Sequence, residues 1–298
     1  MSIIAAPANR SNVSVWVAFI LLILGTLGTY QVVGTNQALL FLIGGALGMT
    51  LYHASFGFTS SWRVFIKERR GRGLRAQMIM LSLAVLLFFP ALGAGELFGN
   101  PVKGNVSPVS MSVMIGAFIF GIGMQLGGGC ASGTLYTVGG GSARMIVTLV
   151  FFCLGSLIAT SHLDWWFNLP HLAPISLVSS LGVAPALLIN FVLFALITAI
   201  TVFAEKKRHG SLEIEPRSEY QGWKRFIRGP WPLIWGGIIL TLLNFATLAL
   251  AGRPWGVTSA LAVWAAKSAS FVGVDVASWA YWQQPGNAKA LAESLWFD

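Results

Sequence analysis

Long apolar runs separated by short polar breaks make up most of the chain. They are not the short alternating segments of a β-barrel. A helix crossing the bilayer core needs about 20 apolar residues. Runs of that kind at 13–33, 37–60, 76–94, 109–126, 145–162, 184–204 and 231–250 predict seven membrane-spanning helices. PISLVSSLGVAP (174–185) and GRPWGVTSALAVWAAKSASFVG (252–273) are also apolar, but Gly, Pro and Ser interrupt them. They read as short broken or re-entrant helices. The expected fold is an all-α polytopic membrane protein, with residues 1–298 forming a single transport domain. No small-residue cleavage site clearly follows the first run, so a retained helix is expected rather than a signal peptide.

Composition supports the pattern. Hydrophobic residues are 55% of the 298, charged residues 10%, and mean hydropathy is +0.73. Soluble domains carry about 25% charged residues, so this chain lacks the polar groups to cover a globular surface. The net charge of +9 does not point to nucleic acid, because the basic residues sit in the breaks between apolar runs. Loop 66–75 holds five of them. Loop 205–228 holds Lys206, Lys207, Arg208, Arg217, Lys224, Arg225 and Arg228. With both loops in the cytoplasm, Arg10, Arg63 and Arg144 also fall inside, and fifteen of the 19 Lys and Arg are cytoplasmic. Positive charge favours the cytoplasmic side, so a cytoplasmic N-terminus is expected. The basic loops are expected to meet anionic lipid headgroups.

An internal repeat shows through weakly. GALGMTLYHASFGFTS (45–60) and FGIGMQLGGGCASGTL (120–135) share G-M-x-L, and each runs from an apolar helix into small and polar residues. The repeat units fall at about 37–75 and 109–145. Broken helices that meet between repeats are a common transporter device.

The second unit contains GIGMQLGGGCASGTLYTVGGG (121–141), with nine glycines among 21 residues and no charge. Each glycine costs a helix roughly 1 kcal/mol against alanine, so a break is expected near Gly127, Gly128 and Gly129. Non-helical backbone is tolerated at membrane depth only when protein buries it or it lines a wet cavity. GGGCASGT is then a tight loop or a re-entrant turn. Its amides suit an anion, and a helix starting after it adds a positive dipole end. Close helix packing through small residues is the competing explanation. The candidate site residues are Cys130, Gly127, Gly128, Gly129, Ser132, Gly133 and Thr134, joined by Ser55 and Thr59 from the first unit. Cys130 has small neighbours and its thiol is a weak donor. Cys153, in LVFFCLG, reads as a small hydrophobe. His53, Ser55, Thr59 and Arg63 form a polar ladder, with Arg63 expected to snorkel to the interface. Lys267 is the one ionisable residue deep in a late apolar stretch, a functional candidate or an interfacial one. His162 and His171 are expected at an external interface. The cysteines and histidines show no metal-ligand spacing, no phosphate-binding P-loop motif is present, and no cofactor is expected.

GIGMQLGGGCASGTLYTVGGGSARM (121–145), YHASFGFTSSWRVF (52–65) and GRPWGVTSALAVWAAK (252–267) resemble the YeeE/YedE-type sulfur transport family over most of the chain. The resemblance implies a prokaryotic inner-membrane permease for thiosulfate or a related sulfur anion. It implies pseudo-symmetric halves whose short re-entrant helices meet near the membrane centre. Cysteines on those loops would pass the anion along through S–H contacts, and Cys130 is the matching thiol here. Two positions depart from the family pattern. Gly57, in SFGFT, stands where the first repeat would carry a cysteine. Family members also continue past the segment like 275–298 into a helix and a late glycine–cysteine loop. Self-association or a cytoplasmic sulfur-carrier protein are the partners this suggests. The competing functions are a non-transporting membrane subunit and a membrane sulfurtransferase using a Cys130 persulfide.

Overall fold

The computed structural model describes residues 12–215, 220, 222, 224, 225 and 229–293. Arg10, Arg217 and Arg228 of the charge count lie outside the described residues. Helices α1 (Asn12–Val32), α2 (Thr35–Ala54), α3 (Phe58–Glu68) and α4 (Arg72–Ala94) come first. A two-stranded hairpin, β1 (Glu96–Leu97) and β2 (Asn100–Pro101), leads to α5 (Met111–Gly127), α6 (Ala131–Gly139) and α7 (Ala143–Ser161). The short α8 (Leu163–Phe167) and α9 (Leu177–Leu181) precede the long α10 (Val183–His209). Beyond the basic segment come α11 (Leu233–Ala251), α12 (Val257–Phe271), a 3₁₀ turn at Val276–Ser278, α13 (Ala280–Gln283) and α14 (Pro285–Ala292). Among the described residues, seven helical stretches are long and apolar enough to cross a membrane. The protein is an all-α polytopic membrane protein.

The polar side chains on these helices are largely folded back. The hydroxyls of Thr26, Thr29, Thr50 and Thr247 donate to carbonyls four residues earlier. A hydroxyl tied to its own helix removes the cost of exposing it to lipid. α5 buries none of its residues, and α1 is exposed along most of its length, the condition of a helix facing acyl chains. α1 packs on α2 through glycines that seat large groups, Gly25 against Phe41 and Gly45 against Leu22.

Several expected boundaries are corrected. The run 37–60 is two helices: α2 stops at Ala54, and Thr59 belongs to α3. Ser55 takes the left-handed conformation (φ 46°) and its amide closes on Leu51 and Tyr52 carbonyls, ending the helix. The basic loop 66–75 shrinks to a turn at 69–71, because α3 runs to Glu68 and α4 starts at Arg72. The loop at 205–228 begins later than expected, since α10 continues to His209. Lys206, Lys207, Arg208 and His209 occupy its last turn, where cations complement the helix dipole. Residues 257–271 are one continuous helix, so the break in 252–273 is confined to its start.

Two three-helix units share one order. In each, a long helix ends in a three-residue break, a short helix follows, and a tight turn leads to a second long helix. They are α2–α3–α4 and α5–α6–α7. The packing is exchanged between them: α6 lies on α2, while α3 lies on α5. α11 packs on α2 and α4, and α12 packs on α6 and α7.

At one end of the bundle, the turn between α3 and α4 is tied to the end of α10. The Glu205 carboxylate, fully buried, accepts from Arg75 at 2.6 Å, from the Gly71 amide at 3.0 Å and from the Glu213 amide at 2.6 Å, with Arg70 at 3.5 Å. At the other end, Lys103 N–H donates to Gly252 O at 2.8 Å, and Ser110 pairs with His171.

Candidate functional site

The two breaks are built alike. In the first, Ser55 is left-handed, Phe56 is buried and Gly57 is the extended N-cap of α3. In the second, Gly128 is left-handed (φ 83°), Gly129 follows and Cys130 is the extended N-cap of α6 (φ −77°, ψ −175°). Gly57 and Cys130 therefore occupy equivalent places. The glycine-rich loop is only 128–130. Gly127 closes α5, while Ser132, Gly133 and Thr134 are helical, a correction to the longer loop expected from GGGCASGT.

Cys130 does not cap its helix through its side chain. Its Sγ lies 3.4 Å from Ser132 Oγ instead. The first intrahelical bond of α6 is Thr134 N–H to Cys130 O, at 2.8 Å. The amides of Ala131, Ser132 and Gly133 precede it and have no partner within the helix. A positive helix end with free amides beside a thiol is a ready anion cradle. The Thr134 side chain, at the start of the same helix, is 0% exposed, and its Oγ1 has no hydrogen-bond partner. A buried hydroxyl left unpaired costs roughly 1–3 kcal/mol, a cost carried here at the head of α6. Thr59, early in α3, is 3% exposed and equally unpartnered. Ser55 does not join them; it is exposed, and its Oγ turns back to Tyr52 O at 3.4 Å.

The glycines are fixed by contact. A methyl group at Gly129 would lie 3.1 Å from Thr134 N and 3.2 Å from Gly133 C, both backbone atoms that cannot rotate away. At Gly133 it would lie 3.6 Å from Cys130 Sγ, an ordinary contact.

Two guanidinium groups flank the second break. Arg63, on α3, does not simply snorkel. Its Nε donates to Gln125 Oε1 at 2.9 Å and its Nη2 to Gln125 O at 2.7 Å. That carbonyl is one of those an α-helix leaves without a partner at its C-terminus. Gln125 Nε2 in turn reaches Thr59 O at 3.5 Å. Arg144 Nη2 lies 3.9 Å from where a methyl on Gly128 would be. Between the units, Tyr136 on α6 brings its hydroxyl to 3.6 Å from the methyl position at Gly57. Arg63 and Gln125 thus tie α3 to the end of α5, and Tyr136 brings α6 against the first break. Sequence reasoning did not assign Gln125, Arg144 or Tyr136 to the site. Gln125 was visible as the polar residue in the last turn of an otherwise apolar helix.

Lys267 is not free in an ion path, because its Nζ donates to Glu293 O beyond α14. His162 Nδ1 accepts from Trp166 Nε1 at 2.9 Å.

The family model described as Sulphur transport matches residues 53–294, which includes both breaks and both short helices. The chain belongs to the Sulphur transport family. The thiosulfate transporter TsuA of Spirochaeta thermophila is 30% identical over 128 residues, 43% of this chain and 38% of that protein. TsuA of Escherichia coli is 28% identical over 120 residues, 40% of this chain and 33% of that protein. The probable transporter YedE of E. coli is 27% identical over 197 residues, 63% of this chain and 46% of that protein. The matched part of the chain spans about a third to a half of the length of these relatives.

Proposed function

We propose that this member of the Sulphur transport family is a permease for a small sulfur-containing oxyanion, thiosulfate first, working in the bacterial inner membrane with its N-terminus in the cytoplasm. The observation that carries the site is Thr134: a wholly buried hydroxyl without a partner, in the opening turns of a helix that begins with a thiol. Thiosulfate has an anionic oxygen end and a soft sulfur end, and this arrangement offers something to each. The Ala131, Ser132 and Gly133 amides, the Thr134 hydroxyl and Arg144 suit the oxygens. The Cys130 S–H suits the terminal sulfur.

In this mechanism the breaks after α2 and α5 act as re-entrant turns of one transport domain. Gly128 and Gly129 let the backbone fold tightly enough to present the amides. Arg63 holds the end of α5 against α3. The step is non-covalent: the anion exchanges water for protein donors and leaves without reaction. The similarity to proteins named as thiosulfate transporters supports the choice of substrate.

Uptake of radiolabelled thiosulfate into cells that depend on this protein tests the proposal. Thr134→Val keeps the shape and removes the donor, and is expected to reduce uptake at unchanged protein level. Full uptake by that variant would remove Thr134 from the site.

A further inference from the structure

One cavity of the molecule lies away from Cys130. It holds about 740 Å³ and lies between α4, α9 and α11, under the loop at 104–107. Its mouth is at the end of the bundle away from the Glu205 cluster, where Asn105, Ser107 and Ser179 lie exposed. Its inner wall carries Thr241 and Asn244 of α11; the Thr241 hydroxyl is spent on Met80 O and Gly237 O, whereas Asn244 ties only its Nδ2 back, to Leu240 O, and keeps its amide oxygen as an acceptor at that depth. Polar groups thus stand at the mouth and, at Asn244, partway down walls that are otherwise mostly apolar, and no lining residue is charged. An acyl chain offers no donor to the Asn244 amide oxygen or to the polar rim. Water does, and at about 30 Å³ per molecule the space holds on the order of 20 waters. Dipoles without a fixed cation hold an anion loosely enough to release it, as conduction requires.

The floor is Met80 and Leu240. Met80 is eight residues into α4, roughly 12 Å along its axis, so the floor lies within the span. Directly beneath it is the first break. A methyl at Gly237 would lie 3.1 Å from Met80 Cβ and 3.6 Å from Phe56 Cε2, so this glycine is where the floor meets the middle residue of the break. Phe56 and Leu240 share one buried cluster, with Met80 and Tyr136 packed against it. Tyr136 belongs to the helix that Cys130 begins.

We propose that this cavity is the outward antechamber through which a small hydrated oxyanion approaches the site, closed at its floor by a plug of Met80, Leu240 and Phe56. The substrate rests on the function proposed above; the water-filled space and the plug do not. Moving Met80 aside opens the antechamber onto Gly57 and the face of Tyr136.

Cysteine accessibility in intact cells tests this with the full chain carrying Cys130→Ala and Cys153→Ser. Single cysteines are introduced at Ser107, Asn244 or Gly57, with Val192→Cys on an exposed face of α10 as a lipid-facing control. A membrane-impermeant maleimide is added outside. Positions 107 and 244 are expected to label and 192 to stay unlabelled. Position 57 is expected to label only when Met80→Ala is also present. Labelling at 107 with none at 244 would mean a dry or lipid-filled crevice and overturn the antechamber. Equal labelling at 57 with and without Met80 would overturn the plug. Labelling at 244 without thiosulfate uptake by the unsubstituted chain overturns the oxyanion as occupant. Uptake without labelling overturns the route while leaving the proposed substrate standing.

Discussion

Replacing Glu205 tests how the α3–α4 turn is held against α10. Its carboxylate is fully buried and accepts from Arg75, Arg70 and two backbone amides. Glu205→Ala strands all four donors. Removing one partner of a buried ion pair costs about 3–5 kcal/mol. The Arg75 and Arg70 side chains are 17% and 30% exposed, so water recovers part of their solvation and the lower half of that range applies. For a chain of this size each kcal/mol moves Tm by roughly 2–4 °C, which places the expected fall at roughly 6–16 °C. Glu205→Gln keeps an acceptor of the same shape and loses the charge; about half the fall is expected. Thermal unfolding of the detergent-purified protein, followed by tryptophan fluorescence, reads both variants. Adding Arg75→Met to Glu205→Ala should restore part of the loss, because no stranded guanidinium then remains at 75. A Tm within about 1 °C of the parent for Glu205→Ala, or identical effects of Ala and Gln, would refute the reasoning.

Other substitutions separate packing from chemistry. Gly129→Ala should destabilise most of the three glycine variants, by about 1–3 kcal/mol, because its methyl meets backbone at 3.1 Å. Gly128→Ala should cost roughly 1 kcal/mol through its positive φ, and Gly127→Ala, which meets only a Thr148 methyl, should cost least; the order of the three Tm values checks this. Gln125→Leu removes the side-chain acceptor of Arg63 and is expected to lower uptake while a purified sample remains monodisperse on size-exclusion chromatography. Lys267→Met should lower Tm by a few degrees and leave uptake per molecule unchanged; lost uptake at normal stability would return Lys267 to the ion path.

The helices were legible because composition and run length decide them. Twenty apolar residues have one low-cost fate in lipid, and α1, α4, α5, α7 and α11 fall within a few residues of the expected spans. The first break was missed because its signal is conformational. GFTS carries no run of glycines, and Ser55 enters the left-handed region without being one. The second break announced itself through three consecutive glycines. Contacts between units were beyond reach: nothing in the spacing of Arg63 and Gln125, 62 residues apart, says that they meet. Gly57 shows the limit from the other side. The resemblance identified it as the place of a missing thiol, and its position as N-cap of α3, equivalent to Cys130 in α6, is what the fold adds.

The most direct measurement is thiosulfate uptake by Cys130→Ala and Cys130→Ser compared with the parent chain at matched membrane levels. If the thiol meets the terminal sulfur, alanine should abolish most uptake and serine, which keeps a donor but not the soft sulfur, should restore only part of it. Undiminished uptake by Cys130→Ala would contradict a role for the thiol at the head of α6.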